Sequence, residues 1–103
     1  MSSTLIQITR KEYAKQKLSS ILRSSKCVQG KGFCYNPQTK RYCAVGALMT
    51  GLGDDLTTFG RHPSHKILRE LLSDVGLETI QIANMNDNCN MTYAQIAEHI
   101  EGL

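Results

Sequence analysis

Between Pro63 and Gly76, the residues Ile67, Leu68, Leu71, Leu72 and Val75 recur at the three- and four-residue spacing of one helix face. No other stretch constrains the fold as strongly. Pro63 suits a first helical turn, where its missing N–H would be unpaired anyway. Gly76 can take the positive φ of a C-terminal cap.

Two further helices announce themselves by their starts. Thr9 with Glu12 and Thr92 with Gln95 both have the spacing of a capping box, in which a hydroxyl and a Glu or Gln side chain satisfy otherwise unpaired amides. The first predicts a helix from about Arg10 to Arg23 with an apolar stripe of Tyr13, Ala14, Leu18, Ile21 and Leu22. The second predicts a closing helix on Tyr93, Ile96, Ala97 and Ile100. A short, nearly all-apolar helix is expected over Ala44 to Met49, ended by Gly51 and Gly53.

Before that helix, Phe33-Cys34-Tyr35 and Arg41-Tyr42-Cys43 flank Asn36-Pro37-Gln38-Thr39, where aromatic flanks and turn residues predict a small hairpin. Ser24 to Gly32 is expected to be a loop. Thr79 to Ala83, with Ile80 and Ile82 alternating with polar neighbours, predicts a brief strand or extended link. Leu5, Ile6 and Ile8 allow a strand or a lead-in to the first helix. The expected architecture is α+β and mainly helical: about four helices, with a small β-hairpin before the second. At 103 residues the chain is one domain, 1–103, since two halves would each be too small for a core.

Arg10 to Arg41 holds nine of the twelve Lys and Arg but only Glu12 among the nine acids. Clustered bases attract phosphates and acidic surfaces. An acidic protein surface or nucleic acid is therefore the expected partner class, with Lys11, Lys15, Lys26, Lys31, Lys40 and Arg41 as contacts. The competing reading is compensation between the basic and acidic parts of the same chain. No aromatic is interleaved with these bases in a known RNA-binding pattern. No run of apolar residues is long enough for a membrane span, and the first residues lack the pattern of a signal peptide. A cytoplasmic protein without membrane contact is expected, with Cys27, Cys34, Cys43 and Cys89 as reduced thiols.

Cys43 is the sharpest candidate for chemistry, because a thiol where a strand meets a helix N-terminus can be stabilised as thiolate. His62 or His65 could act as base and Asn86 or Asp87 as orienter, the order Cys, His, Asn or Asp of papain-like enzymes. Against this, a free Cys beside Ala44 and Ala47 reads as a small buried hydrophobe, and the histidines beside Pro63 read as solvated. Asn86-Asp87 reads as a turn that fixes the approach to the last helix. The cysteines stand 7, 9 and 46 positions apart without a Cys-x-x-Cys pair, so neither a metal nor another cofactor is expected.

Val28-Gln29-Gly30, Arg41-Tyr42-Cys43-Ala44-Val45-Gly46-Ala47-Leu48, Asn86-Asp87 and Thr92-Tyr93-Ala94-Gln95-Ile96-Ala97, taken in order, resemble a family of uncharacterised small proteins of bacteria and phages, a domain of unknown function. The resemblance spans about Leu18 to Glu101. Val28 and Met85 stand where that family has aromatics. It implies a shared fold, with a Cys-x-x-Gly-Ala-Leu helix and a downstream Asn-Asp turn, and brings no catalytic residues with it. The leading expectation is a small non-enzymatic binding or regulatory protein, bacterial or phage-encoded, acting through its basic face. The alternatives are a Cys-dependent hydrolase or transferase with Cys43 as nucleophile, or a small-ligand-binding protein with a pocket at Tyr42, Cys43, Asn86 and Asp87. Oligomeric state leaves no readable signal.

Overall fold

The structure, a computed structural model, describes residues 9–58 and 60–103. The apolar opening at Leu5, Ile6 and Ile8 lies outside the described residues. Five helices and one two-stranded ribbon are seen within them: α1 (Arg10–Ser24), β1 (Tyr35–Asn36), β2 (Arg41–Tyr42), α2 (Ala44–Gly51), α3 (Ser64–Asp74), α4 (Thr79–Asp87) and α5 (Tyr93–Glu101).

The expected helices over α1, α2, α3 and α5 are present, and the fifth is a correction. Thr79 to Ala83 is the first half of α4 rather than a strand. The period-two alternation there spans only five residues. What decides the matter is the pair Ile82 and Asn86, both buried, one turn apart on the inner face, while Ile80 is 68 % exposed. At the helix start the Glu78 N–H donates to Gln81 Oε1 at 2.8 Å. Asn86 and Asp87 accordingly sit in the last turn of α4, not in a free turn.

The caps explain where the other helices begin and end. Thr92 and Gln95 form both halves of their box, at 3.1 and 2.9 Å. At Thr9 only one half forms: the Glu12 N–H donates to Thr9 Oγ1, and the Glu12 carboxylate turns to Lys15 instead. Past α3, Gly76 at φ +79° lets its own N–H reach Ser73 O and the Leu77 N–H reach Leu72 O, the paired bonds of a Schellman motif. Tyr13 and Ile67, expected on the buried stripes, are 53 % and 46 % exposed. Each lies at the edge of its stripe, where periodicity assigns a direction but no neighbour covers the side chain.

α2 is the centre of the packing. Ala44 to Met49 are all buried, and the helix touches α1, α3, α4 and β2. A helix that is apolar all round is one enclosed on every side. Its small residues set the approach distances: a Cβ added at Gly46 would lie 1.8 Å from the Cys34 carbonyl oxygen, and one at Gly51 would lie 2.2 Å from Ile21 Cγ2. The long α1 crosses α5, burying Ala14, Leu18 and Leu22 with Ile96, Ala97 and Ile100. Beside the crossing, the Arg23 guanidinium holds both carboxylate oxygens of Glu101, at 2.9 and 2.6 Å.

Two outcomes follow from this packing. Overpacking a backbone carbonyl costs about 1–3 kcal/mol, which outweighs the roughly 1 kcal/mol of helix propensity gained by replacing Gly with Ala. Gly46→Ala should therefore lower the urea midpoint, and a midpoint at or above wild type would contradict the contact. Arg23 holds the Glu101 carboxyl below its usual range, through the hydrogen bond first and its charge second. That small, solvent-screened contribution is present above the unfolded carboxyl pKa of about 4.3 and is lost as pH falls through the lower folded value. Arg23→Gln should flatten the acid limb of the stability profile; an unchanged limb would mean the pair carries no linkage.

Candidate functional site

The segments Gln29–Gly30, Tyr42–Ala44, Asn86–Asp87 and Tyr93, distant in sequence, meet at one point. The Asn86 side chain is 1 % exposed. Its Oδ1 accepts from Gln29 Nε2 at 2.8 Å and from the Ala44 N–H at 3.1 Å, and its Nδ2 donates to Gly30 O at 2.7 Å and Asp87 Oδ1 at 2.8 Å. Its two donors and both lone pairs of its oxygen are thereby used. Gln29 extends the network, donating to Met91 O at 2.7 Å and accepting from the Tyr93 N–H at 3.2 Å.

Ala44 and Tyr93 are the first residues of α2 and α5. Two carboxamides, bonded to each other, thus each accept an amide that a helix start leaves unpaired. The Tyr42 carbonyl is pinned from two sides as well, by the Gly30 N–H at 2.8 Å and the Tyr93 Oη at 2.6 Å. Burial pushes the Tyr93 phenol well above its ordinary pKa, so it stays a donor. Asp87 Oδ1 also accepts from the Gly32 N–H at 3.1 Å. The network fixes the 28–32 loop beside β2, which is otherwise paired only to β1 through Tyr35↔Tyr42 and Asn36↔Arg41.

That arrangement walls a cleft of about 590 Å³ between the loop, the hairpin and the α4–α5 connection. Gln29, Lys31, Thr39, Arg41, Asn86 and Asn90 are among its lining residues, and among the described residues no acid lines it. Lys31 Nζ donates to the Asn90 side chain across its mouth. Lys40, at φ +58°, closes the hairpin turn next to Arg41, with its N–H on Asn36 O at 2.7 Å.

The remaining candidates are dispersed. Lys11 is exposed on the first turn of α1, and Lys26 is exposed in the loop after it. Lys15 is taken up by Leu103 O at 3.0 Å and by Glu12 at 3.7 Å. Among the described residues, ion pairs engage only Lys15 and Arg23 of the nine bases in Arg10 to Arg41.

Tyr42, Cys43, Asn86 and Asp87, expected around one pocket, are divided among different spaces. Asn86 lines the large cleft, Tyr42 lines a second cleft beside Cys27 and Gly51, Asp87 faces a third along α4, and Cys43 is buried. Nor are Cys43 and the histidines brought together. Cys43 caps the start of α2, whereas His62 and His65 lie beyond its end, where Ser64 bonds Asp54. α2, eight residues and about 12 Å long, runs between the two positions.

The Cys43 thiol has Cys34 as its neighbour instead, and interaction with that thiol, followed by burial, raises its pKa. The Val45 and Gly46 amides oppose the shift without overcoming it. The same interaction draws the Cys34 thiol down to about 7, against burial and the nearby Asp87 charge. Of the two thiols it is thus exposed Cys34, not buried Cys43, whose pKa falls, because a charge costs less on the better solvated sulfur. Sequence reasoning passed over Cys34. Its signal was the hairpin register, which sets Cys34 and Cys43 one step outward from Tyr35↔Tyr42.

Among the described residues no three His, Cys, Asp or Glu come together to hold a metal ion, and no helix is long and apolar enough to cross a membrane. No family model, curated protein or solved structure matches the chain.

Asn86→Ala leaves the buried Ala44 N–H and the Gly30 carbonyl without this partner, at about 1–3 kcal/mol for each unsatisfied group. Urea unfolding should record that loss. The double variant with Gln29→Ala should lose less than the sum of the singles, because the two share a bond. Additive losses would show that the side chains act independently.

Proposed function

We propose that this is a small non-enzymatic binding protein, of the bacterial and phage kind its motifs resemble, that takes an anionic partner on the side formed by the 26–32 loop and the hairpin. The observation that carries the reading is the cleft itself: Lys31 and Arg41 border it, Lys40 adjoins it, and no acid among the described residues lines it. Lys26 opens the same loop. Of the expected contacts, Lys15 is the one in an ion pair among the described residues, and Lys31 bonds only the neutral Asn90 side chain, so most of the charge asymmetry is not neutralised by pairing. An acidic protein surface and nucleic acid both satisfy this electrostatics, and both would release counterions on binding.

Fluorescence anisotropy with a labelled mixed-sequence single-stranded oligonucleotide and a labelled polyglutamate peptide separates them. One probe should bind at low salt and weaken as salt rises, with the log–log slope reduced by roughly 0.7 for each base lost if the partner is single-stranded nucleic acid. Lys31→Glu, Lys40→Glu and Arg41→Glu combined should abolish capture, while Arg69→Glu on α3 should not. Binding of neither probe, or equal binding by the triple variant, overturns the proposal.

A second reading is favoured by the size of the cleft, which lies within the roughly 300–1,000 Å³ of small-molecule sites. A small phosphate-bearing ligand would meet the same two cations, and titration with inorganic phosphate and a mononucleotide tests it. The Cys-dependent alternative through Cys43 has less support, since that thiol keeps its proton and has Cys34, not a histidine, as its neighbour.

A further inference from the structure

Cys34 and Cys43 flank the Tyr35↔Tyr42 pair at the open end of the hairpin. Each cysteine stands one residue beyond that pair, which makes them near neighbours, and a disulfide spans Cα separations of roughly 4.4–6.8 Å. The segment is held in this position. The Cys43 N–H donates to Phe33 O at 3.1 Å, and the Cys34 carbonyl rests on Gly46 of α2 so closely that no Cβ would fit between them. Cys34 is exposed to solvent and Cys43 is buried behind it, an attacking thiol outside and a second thiol within reach. Neither thiol lines the basic cleft.

We propose that Cys34 is a thiol-modification site for low-molecular-weight disulfides, and that Cys43 resolves the adduct into a Cys34–Cys43 disulfide across the base of the hairpin. The Cys34 thiolate attacks one sulfur of a disulfide such as oxidised glutathione. A mixed disulfide forms and one glutathione thiolate leaves. Cys43 then gives up its proton to solvent or to that leaving thiolate and attacks the Cys34 sulfur, expelling the second glutathione. Two protein thiols are oxidised and one glutathione disulfide is reduced to two thiols, so electrons and atoms balance.

The charges around the pair set its direction. Interaction with Cys43 stabilises the Cys34 thiolate near neutral pH, and Asp87 opposes it. A lower pKa also reduces intrinsic nucleophilicity, so the net gain over an unperturbed thiol at neutral pH is about threefold rather than the larger factor of the thiolate fraction alone. Cys27, half-buried beside Tyr42, and exposed Cys89 are the competing thiols.

The experiment exposes the folded full-length chain to oxidised glutathione over a range of pH, blocks remaining thiols and maps the products by peptide mass spectrometry. Wild type should yield a Cys34–Cys43 disulfide, with the rate rising through about pH 7 and about threefold that of Cys34 in the urea-unfolded chain at neutral pH. Cys43→Ser should stop at a glutathione adduct on Cys34, and Cys34→Ser should leave Cys43 unmodified. Both variants are read only if their circular dichroism matches wild type; otherwise the wild-type map decides alone. A wild-type adduct that persists on Cys34, a disulfide from Cys34 to Cys27 or Cys89, or a rate no greater than in the unfolded chain overturns the proposal.

Discussion

A primary amide shut inside a hydrophobic core needs every one of its hydrogen bonds, since burying it unpaired would cost several kcal/mol. Asn86 meets that condition by drawing four partners from two other parts of the chain and from its own neighbour. The geometry of the irregular half of the molecule follows. The 28–32 loop must lie where Gln29 and Gly30 reach the amide, α2 must begin where Ala44 reaches it, and β2 is thereby set between the loop and β1. Cys43, at the N-cap of α2, makes no side-chain capping bond, so α2 depends on a residue from α4 for what a local Ser or Asp would ordinarily supply.

Close packing around α2 does the complementary work. Gly46 and Gly51 let the hairpin base and α1 approach to distances a larger side chain would forbid. Cys34 and Cys43 are brought together by that approach, and their unequal solvation divides the roles between them. Among the described residues the cations of the loop and hairpin have no acidic partner, so rigidity is concentrated beneath the cleft and charge along its margin.

Much of the fold was legible because local rules and the global structure agree. The capping residues Thr9 and Thr92, the stripe from Leu68 to Val75 and the glycine stop at Gly76 each act within a few residues. α4 was not legible, because its inner face is Ile82 followed by an Asn, and a hydrophobicity pattern has no means of knowing that a polar residue finds four partners. Tyr13 and Ile67 were assigned inward for the opposite reason: periodicity gives a direction but not the presence of a neighbour. In the site, Lys31, Lys40 and Arg41 could be read from composition. The identity of the thiolate could not, because burial separates Cys34 from Cys43 and burial is a property of the assembled core. The spacing of Cys43 from His62 and His65 likewise carried no distance.

The bonds that organise the network join residues 42 to 64 positions apart. Closing loops of that length loses chain entropy before any bond forms, whereas α1, the hairpin and α3 need only local closure. The junction is therefore the part of the fold that chain entropy opposes most, and the loop that carries Lys31 is held there by several bonds at once that together offset the closure.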